Sequence, residues 1–159
     1  MLVFAVSRIP ELMPDNFSAA YAIAFCAGVF FPNRLGWWIP LITLAITDIA
    51  LDFYYQFSLG IPCFTGISLL YMLGNYAGYA ILIWLGKKFT PKSSFLSLLG
   101  GGLLGAVLFY IITNTMSWLI NPSGASEYTK NLTGWLWALT KGTHGWPDTL
   151  TFFRNTLLS

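Results

Sequence analysis

Long apolar runs separated by short polar segments determine what this 159-residue chain can fold into. The runs cover residues 17–31, 37–53, 64–86, 95–120 and 148–159. A helix needs about 20 mostly apolar residues to cross a bilayer. Runs 64–86 and 95–120 meet this length, and runs 17–31 and 37–53 are short but workable because aromatic residues flank them. Only 9% of the residues are charged, against about 25% in soluble domains. The sequence therefore predicts an integral membrane protein.

The two ends of the chain resemble incomplete helices. Residues 1–9 are apolar and stop before Pro10, as the last two turns of a helix would. Residues 148–159 provide about 12 residues where a span needs about 20. We interpret both as shortened helices, from truncation or from a short gene product. The expected fold is an all-α integral membrane bundle of about six transmembrane helices, in a single domain covering residues 1–159.

The basic residues in the short loops predict an orientation. Arg34 lies between the second and third predicted helices, and Lys87, Lys88 and Lys92 lie between the fourth and fifth. In a six-helix bundle these two loops share a side. Since lysine and arginine concentrate in cytoplasmic loops, this side is expected to be cytoplasmic, and so is the N-terminus. The opposite side then carries the long segment 121–146.

Asp48 lies in an otherwise apolar run that is long enough to span a membrane. A carboxylate at such a position costs roughly 2.5–3.5 kcal/mol on insertion scales, and it usually faces a bundle interior or a cavity. Helix geometry places Asp48 about 8 Å below the outer boundary. The same geometry places Asn114 about 9 Å deep, and Arg154 and Asn155 about 9–10 Å deep. Four polar side chains from three helices are thus expected at one level.

Two interpretations of this level are open. In the first, these groups form the floor of a ligand cavity that opens outward. The predicted ligand-binding residues are then Asp48, Asn114, Arg154, Asn155, Trp118 and Asn16. In the second, Asp48 and Arg154 form an ion pair that only locks the bundle.

The sequence contains no CxxC, HExxH, P-loop or GxSxG pattern. Asp52 follows Asp48 by one helical turn, but two carboxylates without a histidine nearby are a weak metal signal. Cys63 is expected to be a free thiol, with a soft-metal or cobalt ligand as the alternative. We therefore predict no catalytic residue, no metal and no cofactor. The net charge of +2 is scattered and does not indicate a nucleic-acid partner.

Four segments resemble those of a known family. They are PDNFSAAYAIAFCAGVFF, IPLITLAITDIALDF, ITNTMSWL and TFFRNTLLS. They look like the recurring segments of a small bacterial membrane family of uncharacterised function. That family is described as similar to the substrate-binding S components of energy-coupling factor (ECF) vitamin transporters. The resemblance covers nearly the whole chain, and the Phe-Arg-Asn-Thr-Leu-Leu run is its most specific element.

The resemblance implies a six-helix bundle in the bacterial inner (cytoplasmic) membrane, with a cytoplasmic N-terminus and an outward site closed by loops. S components bind a vitamin or a metal ion. They dock through small-residue faces on an energising module, which consists of a coupling protein and two ATPases. The Ala-xxx-Ala face expected on the first helix is represented here by Ala5 alone. Related solitary proteins bind cobalamin without the module, and Cys63 would suit a cobalt ligand.

Taken together, these features predict a substrate-binding membrane subunit for the uptake of a vitamin or other micronutrient, with no catalysis. Its expected partners are the small-molecule ligand, the lipid bilayer and an ECF energising module. One alternative is a small structural or assembly subunit of a larger membrane complex. A further alternative is a solitary cobalamin-type transporter. A membrane enzyme using Asp48 and Asp52 as an acid–base pair is a more distant option.

Overall fold

The computed structural model describes residues 2–9 and 19–158, and within these ranges every regular element is a helix. The helices are α1 (Leu2–Val6), α2 (Ala20–Phe30), α3 (Leu35–Ser58), α4 (Gly66–Gly86), α5 (Phe95–Ile120), α6 (Leu132–Thr140) and α7 (Thr149–Leu158). The all-α prediction is confirmed. α3 is longer than the predicted 37–53, since it continues through the aromatic residues after Asp52.

Polar side chains set several helix ends. The hydroxyl of Thr65, before α4, accepts a hydrogen bond from the amide of Ser68 at 3.1 Å. Ser94, before α5, accepts one from Ser97 at 3.3 Å. Such caps satisfy amides that have no partner within the helix, and each contributes about 1 kcal/mol. At its other end α5 stops at Asn121, whose φ of 49° is left-handed.

The centre of the bundle is formed by α2, α4 and α5, which pack on one another. α3 packs on α1, α2 and α4, whereas α6 and α7 pack on α5 and on each other. The main buried cluster consists of Ala20, Ala24, Leu44, Tyr79, Leu82, Ile83 and Phe109. α3 and α7 therefore pack mainly on different helices. The predicted site needs side chains from both, Asp48 from α3 and Arg154 from α7.

Small residues on α4 and α5 let large side chains pack closely inside the bundle. A Cβ added at Gly78 would lie 2.7 Å from the ring of Phe109. One added at Gly105 would lie 2.6 Å from the side chain of Leu82. The sequence left open whether such faces serve internal packing or a partner helix. At these two glycines they serve internal packing.

Three helices are long and apolar enough to cross a membrane: α3, α4 and α5. Most of their residues are not buried against protein, and many of the outward ones are large and apolar, among them Ile46, Leu73, Phe95 and Leu104. α2 is a shorter apolar helix of 11 residues. An apolar surface of this extent is typical of a protein covered by lipid. The chain is a membrane protein with an all-helical fold.

The two basic loops lie at the same end of the bundle. The Nζ of Lys87, after α4, donates a hydrogen bond to the carbonyl oxygen of Asn33, before α3, at 2.8 Å. This contact joins the α2–α3 loop to the α4–α5 loop. Their shared position agrees with the arrangement expected from the number of helices between them.

The opposite end carries α6, which the sequence did not predict. Residues 121–146 were expected to form a long loop, but their middle is helical over Leu132–Thr140. Asn131 caps this helix by accepting from the amide of Gly134 at 2.9 Å. Two hydrogen bonds hold α6 to α5. The hydroxyl of Tyr110 donates to the carbonyl oxygen of Leu139, and the indole N–H of Trp135 donates to the hydroxyl of Thr115 at 2.9 Å. Nine residues are too few for a span, so a search for membrane helices overlooks this element.

Candidate functional site

The candidate site is built around an ion pair between Arg8 and Asp48, which lies on an apolar helix. Nη2 of Arg8, which follows α1, contacts Oδ1 of Asp48 on α3. Nη1 of the same guanidinium donates a hydrogen bond to the hydroxyl of Thr47 at 2.9 Å. The Asp48 side chain is 14% exposed and the Arg8 side chain 18% exposed. The carboxylate expected to be anomalous in an apolar helix is thus shielded and paired.

The backbone of α3 orients Thr47 for this contact. Its hydroxyl lies 3.0 Å from the carbonyl oxygen of Thr43 and 2.9 Å from that of Leu44, so it donates its hydrogen back to the helix. The oxygen lone pairs remain available to accept from Arg8. Two adjacent residues of one helix therefore hold a single guanidinium. Such a double contact fixes the direction of the arginine side chain more firmly than a single ion pair.

Arg8 was not among the predicted site residues. The sequence suggested Arg154 as the partner of Asp48, and the structure places Arg8 there instead. Depth along the helices did not reveal this, because several basic residues lie near the same boundary. A usable signal was present: Arg8 closes the short N-terminal apolar run, so that it lies near the outer boundary in the predicted topology.

Three tyrosines surround the ion pair on the side of α2 and α4. The hydroxyl of Tyr76 is close enough to Asp48 to interact with its carboxylate. Tyr79, three residues later, is buried and stacks on Tyr21 with ring centroids 5.8 Å apart. The charge of Arg8 acts on both Tyr21 and Tyr79. Sequence reasoning missed these tyrosines, since an aromatic residue in an apolar helix resembles ordinary core.

The predicted contacts on α5 have local partners. The side-chain amide of Asn114 donates to the carbonyl of Tyr110 in the preceding turn at 2.9 Å. The indole N–H of Trp118 donates to the carbonyl of Thr129 at 2.7 Å. The first bond keeps Asn114 on its own helix, and the second ties α5 to the segment before α6. Both side chains are half-buried, and neither has a hydrogen bond to Asp48.

The predicted contacts on α7 lie beside α5. Arg154 is exposed, and its Nε and Nη2 each lie 3.4 Å from Oδ1 of the neighbouring Asn155. Asn155 itself is buried. Next to them, Phe153 packs on Tyr110 with ring centroids 4.3 Å apart. Tyr21 links this region to the ion pair, because its hydroxyl interacts with Thr156. Asn16 lies outside the described residues.

The acidic and sulfur groups near the site do not form a metal centre. Among the described residues, no three His, Cys, Asp or Glu side chains come together as metal ligands would. Cys63, in the α3–α4 loop, is half-buried, and its amide donates to Oε1 of Gln56 at 2.9 Å. Shielding from water raises the pKa of its thiol, and the carboxylate of Asp52 raises it further.

At the end of the bundle opposite the lysine loops, the carboxylate of Glu127 makes several polar contacts. Oε1 of Glu127 lies 3.2 Å from Nε2 of His144 and accepts from the amide of His144, also at 3.2 Å. The hydroxyl of Ser126 donates to the other carboxylate oxygen at 3.2 Å. The backbone amide of Glu127 itself, followed by the amide of His144 and the hydroxyl of Ser126, lowers the pKa of this carboxyl. These contacts tie the segment before α6 to the segment before α7.

The whole chain, residues 1–159, matches the model of a family of unknown function (DUF6580). No curated protein and no solved structure matches it.

Proposed function

Since this chain belongs to the DUF6580 family of unknown function, we propose its role from its polar site: it is a substrate-binding membrane subunit that captures a vitamin or another micronutrient for uptake. The proposal rests on one observation above all, the Arg8–Asp48 pair on an apolar helix. Ionisable groups within membrane segments are expensive, and they mark substrate pathways more often than they serve packing.

The chemistry around the pair suits a small polar ligand. Arg8 provides a guanidinium for an anionic or carbonyl group, and Asp48 provides a carboxylate for a cation or a hydrogen-bond donor. Tyr76 adds a hydroxyl beside Asp48. A ligand with both kinds of group would exchange the internal ion pair for two pairs with itself. Each of the two charges would then keep a partner while the ligand is held.

The resemblance to S components supports the same role. In the proposed orientation the lysine loops face the cytoplasm, and Asp48 lies near the middle of the membrane, about 15 Å from the outer end of α3. An ECF energising module remains the proposed partner for uptake. In this proposal Asn114, Arg154, Asn155 and Trp118 approach the ligand from α5 and α7, and Asn16 stays a predicted contact.

The test is ligand-dependent stability of the purified protein. We expect a member of a vitamin and micronutrient panel to raise the unfolding temperature. At a ligand concentration of 100 Kd the stabilisation is about 2.7 kcal/mol. Asp48→Asn should abolish the shift. The matched control is Asp148→Asn, which removes a half-exposed carboxylate paired with Lys141 and should keep the shift.

The proposal would be rejected if no member of the panel raised the unfolding temperature of the wild type or of Asp148→Asn, and if denaturation of the protein released no small molecule. A shift that survives Asp48→Asn would place the ligand elsewhere.

A second function, as a small assembly subunit of a larger membrane complex, is favoured by a different observation. The charges of Arg8 and Asp48 satisfy each other, and within the described residues no fully buried side-chain nitrogen or oxygen lacks a hydrogen bond. A site that is complete without a ligand is what a structural role requires. Native electrophoresis of mild-detergent extracts tests this. A stable larger complex that dissociates on Asp48→Asn, with no ligand effect, would support assembly over capture.

A further inference from the structure

An apolar groove of about 430 Å³ lies between α2 and α5, below the end of α7. Its walls include Cys26 on α2 and Phe95, Leu99 and Gly102 on α5, and Leu158 of α7 also lines it. The volume is within the range of about 300–1,000 Å³ that is typical of ligand pockets. The groove is separate from the Arg8–Asp48 pair, and neither residue lines it.

The groove has the length of a single membrane leaflet. Its α5 wall runs from Phe95 to Ala106. At 1.5 Å per residue this is about 16 Å, close to half of the roughly 30 Å hydrocarbon core. The groove begins where Ser94 caps α5, and it ends under residues 156–158 of α7. A flexible chain that enters from one membrane surface fits this shape.

The end of the bundle where the groove opens is basic. The two loops there, residues 31–36 and 87–94, contain Arg34, Lys87, Lys88 and Lys92 and no aspartate or glutamate. The contact from Lys87 to Asn33 shows that both loops lie at this end. Lys92 is exposed and lies three residues before Phe95 at the mouth of the groove. Such a cluster attracts anionic headgroups.

We propose that the groove is a binding site for an anionic phospholipid, with one acyl chain between α2 and α5 and the headgroup at Lys92. The apolar walls account for the acyl chain, the length of the α5 wall matches one leaflet, and the basic charge of the two loops accounts for the headgroup. Zwitterionic lipids share the acyl chain but lack the net charge. They should therefore bind less tightly at this site.

Native mass spectrometry of the full chain in detergent tests the proposal, with phosphatidylglycerol and phosphatidylcholine of equal chain length as probes. We expect phosphatidylglycerol to be retained preferentially. Lys92→Gln should reduce this preference about fivefold, which corresponds to one basic residue at an anionic surface. Lys141→Gln, at the other end of the bundle, should leave the preference unchanged.

A second pair of variants tests the groove itself. Gly102 lines it, and a Cβ there would meet only Phe25, at 4.0 Å. Gly102→Leu should therefore fill the groove without disturbing the fold and remove the retained lipid. Gly100→Leu is the matched control: it lies on the same helix, outside the groove, with nothing within 4 Å of its Cβ, and it should retain lipid.

Equal retention of the two lipids would overturn the proposal, and so would retention that survives Gly102→Leu. If Gly102→Leu instead abolished a dimer seen in the wild type, a second copy of the chain would be the occupant, and the proposal would be wrong.

Discussion

Gly28 on α2 and Gly86 on α4 meet with no side chain between them. A Cβ on Gly28 would lie 3.0 Å from the Cα of Gly86 and 2.2 Å from the carbonyl oxygen of Ile83. The reverse also holds, since a Cβ on Gly86 would lie 2.1 Å from the carbonyl oxygen of Phe25. Contact between backbones leaves no flexible side chain that could move aside. This contact fixes the distance between the two central helices near the lysine loops.

Gly86→Ala is therefore expected to destabilise the bundle by about 1–3 kcal/mol, the usual cost of overpacking. Gly100→Ala is the control, because its Cβ would point into open space and alanine favours a helix by roughly 0.5–1 kcal/mol over glycine. Thermal unfolding in detergent should show a lower midpoint for the first variant and an equal or higher one for the second. Equal midpoints for Gly86→Ala and the wild type would contradict the close helix contact.

Removing one partner of the Arg8–Asp48 pair should be worse than removing both. Arg8→Met leaves a shielded carboxylate without its cation, which is expected to cost about 3 kcal/mol. Asp48→Leu leaves the guanidinium unpaired in the same way. The double variant should be clearly more stable than the sum of the two single effects predicts, and a double-mutant cycle measures this coupling. The same cycle on Arg34 and Asp48 should give additive effects, because Arg34 precedes α3 and lies about 21 Å along the helix from Asp48. Additivity in the Arg8–Asp48 cycle would show that the ion pair does not form.

The lowered pKa of Glu127 predicts a loss of stability in acid. The native state binds fewer protons than the unfolded one, so the contribution is complete above the ordinary glutamate pKa of about 4.3 and is lost as the pH falls through the lower native value. Glu127→Gln removes the titrating group. Its unfolding temperature should thus fall less than that of the wild type between about pH 6 and pH 3.

His144→Ala is the informative control for this effect. It keeps the backbone amide that donates to Glu127 and should retain most of the pH dependence. Identical acid profiles for Glu127→Gln and the wild type would contradict the assignment.

Cys63 should react slowly with thiol reagents at neutral pH, because its pKa is raised by shielding and by Asp52. The thiolate is the reactive form, so the alkylation rate should keep rising above the ordinary cysteine pKa of about 8.5. Asp52→Asn removes the repelling charge and should increase the rate at pH 8. Asp148→Asn, a distant carboxylate, should not. The measurement is the pH profile of maleimide labelling in a Cys26→Ser background, and an unchanged rate in Asp52→Asn would refute the electrostatic effect.

The long apolar helices were predictable from the sequence, whereas α6 was not. The predicted range 95–120 coincides with α5, because the apolar run, the Ser94 cap and Asn121 all mark the same boundaries. α6 was missed since its nine residues carry no length signal and depend on tertiary bonds from Tyr110 and Trp135. The sequence thus predicts helices whose length and composition suit a membrane. It is less informative for a helix that depends on contacts with a neighbouring helix.

The candidate site shows the same division. That Asp48 would be shielded follows from its apolar surroundings alone, and its side chain is indeed only 14% exposed. Which cation reaches it depends on which helix lies beside α3, and depth counting carries no information about neighbours. Arg154 had a suitable depth, but α7 packs on α5 and α6. Arg8 lies beside α3, on an N-terminal segment that is shorter than a membrane span.

The order of synthesis gives the Arg8–Asp48 pair a further meaning. Arg8 precedes Asp48 by 40 residues, and chains generally fold from the N-terminal side while they are being made. The cation is therefore synthesised before the carboxylate that it pairs with in the folded bundle. The first helix thus supplies, from earlier in the chain, the charge partner of the third.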